Sequence, residues 1–409
     1  MPDALAVTGI GLVTPGGIGT EATWQAVCAG RSTARTDPEL AGLPVDFTCR
    51  VPGFGPDALP GTRQPWRYDR STQLLLAAAA EALRSARLDP ADWDPARIAL
   101  VVGSAAGGIS TLETQHRRFL DHGITGLSPL TLTAYLPNMA AGHLTLALGI
   151  TGPALQTSTA CASGASAVIT AGLLLDMGLC DIALAAGGDS MTTPLCAAAF
   201  AKMGALSRRT HDPARASRPF DKDRDGFVLG EGAAVIVLER TAHAVARRAP
   251  TSAYLIGHAT TSDAHHPTTP HPEGDGLRRA VLQALHTADA TTHDVDHINA
   301  HGTSTRLNDR TEAAVIRALF TSRPPSVTSA KGVLGHTMGA AGAIEAALTV
   351  TSLQRSTVPP TANFAEPDAA TADLDLVTGR ARRQRLTVAL SHSLGFGGHN
   401  TVLAFSTGT

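Results

Sequence analysis

Thr157-Ser158-Thr159-Ala160-Cys161-Ala162-Ser163-Gly164 is the stretch that decides how this chain is read. The small, apolar run Ala165-Ser166-Ala167-Val168-Ile169 follows it. That pattern predicts a strand-to-helix turn, with the helix beginning near Cys161. A cysteine alone is weak ground, because free thiols usually just pack in cores. Two histidines far downstream change the reading. His301 lies in Asn299-Ala300-His301-Gly302-Thr303-Ser304-Thr305, and His336 in Gly335-His336-Thr337-Met338-Gly339-Ala340-Ala341-Gly342. One thiol and two imidazoles, each in a turn of small residues, point to covalent chemistry on an acyl group. A helix N-terminus is expected to lower the pKa of a thiol placed there. Each imidazole can give an N–H to an acyl oxygen or an enolate.

The 409 residues suffice for two packed halves or one large α/β unit, and 43% hydrophobic residues allow a sizeable core. A net charge of −2 argues against nucleic acid or an anionic membrane as the main partner. The cysteines are Cys28, Cys49, Cys161, Cys180 and Cys196. Their odd number and the absence of C-x-x-C spacing argue against a disulfide framework or zinc ribbon, so a reducing cytoplasm is expected. Met1-Pro2-Asp3-Ala4-Leu5 lacks the basic start of a signal peptide. The longest apolar stretch, Ala167 to Ala186, is broken by Asp176 and Asp181, so no membrane helix is expected.

Leu5 to Val13, Ile98 to Val102, Ile182 to Ala186 and Gly232 to Leu238 read as buried strands, and Leu74 to Leu83 as a helix. After Arg248-Ala249-Pro250 the pattern restarts. Tyr254 to Gly257 and His297 to Ala300 read as strands, Gly276 to Ala288 and Arg310 to Phe320 as helices. Val388 to Ser391 and Thr401 to Phe405 are the closing strands. Continuous apolar strands alternating with helices predict an α/β fold with a largely parallel sheet covered on both faces. The two stretches look like similar units in tandem, divided into residues 1–251 and 252–409.

Ser391-His392-Ser393-Leu394-Gly395-Phe396-Gly397-Gly398-His399-Asn400 closes the set of motifs. By itself it is a tight turn between two strands. Its functional reading gives the Phe396 N–H to an oxyanion hole and its ring to a gate over the cysteine.

Together these runs resemble the condensing enzymes of the thiolase superfamily. They are most similar to β-ketoacyl-acyl-carrier-protein synthase II and the catalytic ketosynthase subunits of type II polyketide synthases. Further matching runs are Val7-Thr8-Gly9-Ile10-Gly11, Asn138-Met139-Ala140-Ala141-Gly142-His143-Leu144, Arg218-Pro219-Phe220-Asp221, Asp225-Gly226-Phe227-Val228 and Val358-Pro359-Pro360-Thr361. The resemblance implies a five-layered αβαβα fold of two similar halves, and a dimer. It implies Cys161 as nucleophile, His301 and His336 as the catalytic pair, Lys331 beside them, Glu312 as the acid holding the network, and Phe396 as the gate. Thr303 and Thr305 match hydroxyls that contact a phosphopantetheine arm. Ala106, Phe200, Leu136 and Gly397 are further candidates beside substrate, Leu136 from a loop, residues 131–138, that would line a partner's pocket. The implied reaction is decarboxylative condensation of a Cys-bound acyl group with malonyl-acyl-carrier protein, in type II polyketide or related biosynthesis. No metal or organic cofactor is called for, since phosphopantetheine arrives on the acyl carrier protein. The implied partners are that carrier and a second subunit, identical or chain-length-factor-like. Rival readings are housekeeping fatty-acid elongation, cyclisation or transfer on a carrier-bound chain, and a non-catalytic chain-length factor. The last is disfavoured because Cys161 is present.

The chain departs from the usual Asn-Ser-Phe-Gly-Phe-Gly-Gly at His392 and Leu394. Ala106 stands where fatty-acid enzymes often carry a larger aliphatic residue, which suggests a roomier tunnel. An acidic carrier needs basic docking residues, and Arg67, Arg70, Lys202, Arg208 and Arg209 are candidates. Asp221-Lys222-Asp223-Arg224-Asp225-Gly226 mimics an EF-hand start, but Gly232 holds the position that needs a bidentate Glu. His258, His265, His266, His271 and Asp263 read as an entrance loop rather than a metal site.

Overall fold

Strand β1 (Leu5–Thr14) is buried at every position, as its unbroken apolar run requires. In this computed structural model, which describes residues 4–55 and 64–408, nine further strands build the main sheet with it. They are β2 (Ile98–Gly103), β3 (Ala154–Thr157), β4 (Ile182–Ser190), β5 (Glu231–Arg240), β6 (Ala253–Ser262), β7 (Val295–Asn299), β8 (Ser326–Thr328), β9 (Val388–Gly395) and β10 (His399–Ser406). A short strand, Gly17–Ile18, hairpins onto β1. The strand order is β8-β7-β9-β10-β6-β1-β5-β4-β2-β3.

That order contains a repeat. Outward from the centre, β1 to β5 run first, fifth, fourth, second, third, and β6 to β10 run the same way. The halves join where β1 pairs antiparallel with β6, Leu5 opposite Leu255 and Val7 opposite Ala253.

The expectation of a largely parallel sheet is corrected. Only β2–β3, β2–β4, β7–β8 and β7–β9 run parallel, and the five other neighbouring pairs along the path are antiparallel. Continuous apolar strands report burial on both faces, and they carry no information on direction.

Five helices complete the layers: α1 (Arg70–Ala86), α2 (Ser163–Asp176), α3 (Asp275–Thr287), α4 (Arg306–Leu319) and α5 (Ala341–Arg355). Helix α1 covers β1, β4 and β5 from outside, and α3 covers β6 and β10 with α4 beside it. Helices α2 and α5 pack on each other between the two sheet halves, which gives the αβαβα stacking. Both are apolar or small nearly all round, as central helices must be. A Cβ on Gly164 would sit 2.6 Å from the Ala343 nitrogen, and one on Gly342 would sit 2.6 Å from the Ala165 nitrogen. Glycine at these two places is what lets the central helices cross so closely.

Candidate active site

Cys161 lies where the chain leaves β3 and enters α2, inside one tight turn, Ala160–Ala162. Ala160 adopts φ 51°, a left-handed conformation that strains an alanine. Ser163 stabilises the turn: its Oγ donates to the Ala160 carbonyl (2.6 Å) and accepts from the Thr159 N–H (3.0 Å). The predicted strand-to-helix turn is therefore present, and the thiol stands at the N-terminal end of a central helix.

The two histidines come from the other half. His301 follows β7, and its backbone N–H and that of Gly302 each donate to a different oxygen of the fully buried Glu312 carboxylate, both at 2.8 Å. His336 precedes α5, with its N–H on the Val228 carbonyl (2.7 Å) and its carbonyl accepting from Gly230 (2.9 Å). The two imidazoles meet edge to face, 5.4 Å between ring centres. Cys161, His301, His336 and Phe396 all line one cavity of about 730 Å³. The Phe396 backbone N–H lies near enough to the Cys161 thiol to favour its charged form, which is the side an oxyanion-hole donor must take. The Phe396 ring lies 6.4 Å from that of Phe200, centre to centre, on the same wall.

The electrostatics divide in two. Burial pushes the Cys161 thiol up to about 11, while the Lys331 charge and the Phe396 N–H pull it back. The expected lowering of this thiol is thus corrected. The sequence reveals the helix start but not how far the sulfur is withdrawn from water, and a helix terminus supplies only about 0.3–2 kcal/mol against that withdrawal. Burial holds His301 and His336 well below the usual histidine range, and the Lys331 charge acts in the same direction on both. Both rings are neutral at neutral pH. Lys331 donates to the His301 carbonyl (2.7 Å) and reaches its Nδ1 (3.4 Å). With Nδ1 accepting, Nε2 carries the proton of the His301 ring.

Two buried carboxylates in this network escaped the sequence reading. Glu345 on α5 pairs with Lys331, and burial pushes its carboxyl up to about 7 against that pull. Asp189, at the end of β4, accepts from the Ser104 hydroxyl and from the N–H groups of Ala105 (2.8 Å) and Gly339 (2.7 Å). Burial raises it to about 6 despite those donors. The available signal was a lone acid inside an otherwise apolar run, as in Ala343-Ile344-Glu345-Ala346-Ala347.

The remaining candidates separate. Thr303 and Thr305 line the cavity and share a hydroxyl contact of 2.9 Å. Ala106, Leu136 and Gly397 stand outside its wall. Ala106 stands beside Asp189, whose charged form its backbone N–H favours, Leu136 is 37% exposed, and Gly397 gives its N–H to the Pro267 carbonyl (2.7 Å). Arg70 is no docking residue: its guanidinium is committed to Glu231, fully buried, at 2.7 Å. Arg67, Lys202 and Arg208 are exposed, and Arg209 donates to the Asp223 carbonyl. The EF-hand-like Asp221 accepts from Arg218 and three backbone N–H groups. Asp263, Thr268, Thr269 and Pro270 border the cavity, and Asp263 accepts from Asn400 and the His271 N–H. The entrance-loop reading is corrected for the histidines: His258 stands within β6, and His258, His265, His266 and His271 are not among the residues that line the cavity.

A cysteine at a helix start, two neutral imidazoles and a backbone N–H on one cavity, in a two-half αβαβα frame, define an acyl-transferring enzyme of the thiolase-like class. The β-ketoacyl synthase N-terminal domain matches residues 3–244, and the β-ketoacyl synthase C-terminal domain matches residues 252–365. The chain belongs to the β-ketoacyl synthase family. It is 39% identical over 407 residues to 3-oxoacyl-[acyl-carrier-protein] synthase 2 of Synechocystis sp., covering 98% of this chain and 97% of that protein. It is 38% identical to the tetracenomycin polyketide synthase ketoacyl synthase alpha subunit of Streptomyces glaucescens, covering 96% and 95%. Among solved structures, the ishigamide ketosynthase/chain length factor superposes with a TM-score of 0.93 at 31% identity over 100% of both chains. A type II PKS acyl-carrier protein in complex with its ketosynthase bound to the hexaketide gives 0.91 at 28% identity, again over 100% of both chains.

Proposed function

We propose that this chain is a ketosynthase that condenses a Cys161-bound acyl group with a malonyl unit, both delivered on an acyl carrier protein. The observation that carries this reading is the convergence of Cys161, His301, His336 and the Phe396 N–H on one cavity. Cys161 attacks the carrier's thioester, and the N–H groups of Cys161 and Phe396 hold the oxyanion. The bond to the phosphopantetheine sulfur breaks, and the thiol proton ends on that departing sulfur. A malonyl thioester then enters past Thr303 and Thr305. Its carboxylate leaves as carbon dioxide, and the bonding pair becomes an enolate whose oxygen takes N–H contacts from His301 and His336. The enolate carbon attacks the acyl-Cys161 carbonyl, a carbon–carbon bond forms, and the cysteine sulfur is released to regain a proton. Lys331, Glu345 and Glu312 orient the histidines and do not touch substrate. Residues 1–251 then form the half that supplies the nucleophile, and 252–409 the half that supplies the histidines.

The pathway we favour is type II polyketide assembly, with a second subunit, identical or chain-length-factor-like, covering the exposed Leu132 and Leu136. Support comes from the similarity to the ishigamide ketosynthase/chain length factor and the tetracenomycin subunit. Among the described residues no helix is long and apolar enough to cross a membrane. Five unpaired cysteines suit a reducing cytoplasm. The test is the intact mass of the protein after incubation with carrier-bound acyl and β-ketoacyl chains of increasing length. Loading of long or keto-bearing chains is expected; loading of saturated chains alone would move the reading to fatty-acid elongation. Ala106 stands outside the cavity wall but next to Ala105, which lines it, so an Ala106→Ile side chain that reaches the acyl path should suppress only the longest chains in the same panel, each methylene kept out losing about 0.8 kcal/mol. An unchanged profile would remove Ala106 from the acyl path.

A further inference from the structure

We propose that His392 is a positioning residue for His301: through the Glu312 carboxylate it holds the His301–Gly302 turn in its working geometry. Glu312 lies on α4 and is fully buried. One of its oxygens accepts from the His301 N–H (2.8 Å) and from His392 Nδ1 (3.1 Å). The other accepts from the Gly302 N–H (2.8 Å), with the Asn308 amide at 3.5 Å. A single carboxylate therefore ties the end of β7, helix α4 and strand β9 together.

His392 itself is fully buried on β9, opposite Val402 of β10. Strand alternation puts it on the same face as Leu390 and Leu394, which belong to an apolar cluster with Phe220, Ile298 and Ala300. Its Nε2 is buried with no hydrogen-bond partner among the described residues. A bare ring nitrogen in apolar surroundings costs stability, and an aliphatic side chain would avoid that cost. What the imidazole offers here is the Nδ1–H donated to Glu312. Without it, the Glu312 oxygen that anchors the His301 N–H loses its one side-chain donor among the described residues and can tilt.

The consequence falls on one reaction step. The Cys161 turn is built in the other half and fixed by Ser163 rather than Glu312. Acyl loading should therefore survive loss of the His392 donor. Decarboxylation, which needs the His301 ring at the malonyl oxygen, should not. Displacement of a catalytic group by about 1 Å can cost on the order of a hundredfold.

The inference rests on the proposed condensation, so it is tested by ratios to wild type and by a readout independent of turnover. His392→Leu keeps volume and removes the donor. His392→Asn restores it, because its Nδ2 is bonded to Cγ as the ring Nδ1 is. Three quantities are measured for each variant: acyl loading of Cys161 by intact mass, carbon dioxide release from malonyl-carrier protein, and hydrogen exchange of the backbone segment 299–305. His392→Leu should load within about twofold of wild type, release carbon dioxide about tenfold to a hundredfold more slowly, and exchange faster at 299–305. His392→Asn should return all three towards wild type. Should His392→Leu not fold, His392→Ala is judged by the same split. Unchanged exchange and decarboxylation in the donor-less variant would overturn the proposal, as would equal loss of loading and decarboxylation, or failure of a folded His392→Asn to rescue. A wild type that neither loads nor decarboxylates would reject the condensation reading, while the exchange data would still decide the role of His392.

Discussion

Cys161 and Gly339 stand at the same place in the two halves of the molecule. Each follows a residue forced into the left-handed region, Ala160 at φ 51° and Met338 at φ 52°. Each lies in a one-turn helix, residues 160–162 and 338–340, that runs directly into a central helix. The first half uses this turn to present a thiol. The second keeps a glycine there, because a Cβ would collide with the Ala105 nitrogen and the Asp189 carboxylate. Three residues earlier, where the first half has Ser158, the second has His336, and both line the cavity. One backbone device, used twice, thus supplies a thiol from one side and an imidazole from the other. Catalytic asymmetry comes from side chains on a nearly symmetric frame.

The sharpest way to break this division of labour is His336→Ala. Loading should survive, because the thiol and its oxyanion donor stay in place. Carbon dioxide release from malonyl-carrier protein should fall by about 10²–10⁴-fold. Loss of both steps together would mean that His336 serves the thiol as well, and the two halves could not be assigned separate steps.

A smaller effect probes the symmetry itself. Gly164→Val and Gly342→Val each force a branched side chain against the backbone of the opposite helix, 2.6 Å from the Ala343 and Ala165 nitrogens. Each should destabilise by about 1–3 kcal/mol or more, by matching amounts, in thermal unfolding. A neutral result at one position would show that the crossing is tight on one side only.

The smallest effect concerns pH. With the thiol pushed up to about 11, the reactive thiolate is the minor form at neutral pH and its share grows as protons are removed. Alkylation of Cys161 by iodoacetamide should therefore rise about tenfold per pH unit from pH 7 to 9. A plateau below pH 8 would mean that the helix terminus outweighs burial. The histidines, held below their ordinary range, stay neutral across that window and add no step.

Much of this was legible in the chain. The β1 run and the turn before α2 are written in hydrophobic period and small residues, and both are present. Strand direction was not legible, because a strand buried on both faces reads the same either way. Strands β3 and β8 are too short to leave a pattern. Within the site, Cys161, His301 and His336 stand out because reactive side chains sit among glycines. Asp189 and Glu345 do not, since their role depends on partners distant in sequence: Ser104 for one, and Lys331 at fourteen residues for the other. Depth was likewise hidden, and depth is what moves the Cys161 thiol upward. Arg70 looked like a free surface cation until Glu231, 161 residues away, proved to be its partner.

In the proposed reaction Cys161 carries the acyl group that the malonyl-derived enolate attacks. That role is tested most directly by incubating wild type and Cys161→Ala with acyl-carrier protein and malonyl-carrier protein, then following both the mass of the enzyme and the extended product. An acyl adduct on Cys161 that disappears as product forms is expected, with Cys161→Ala folded, unacylated and at least about 10⁴-fold slower in condensation. Condensation at the wild-type rate by a folded Cys161→Ala protein would contradict that role.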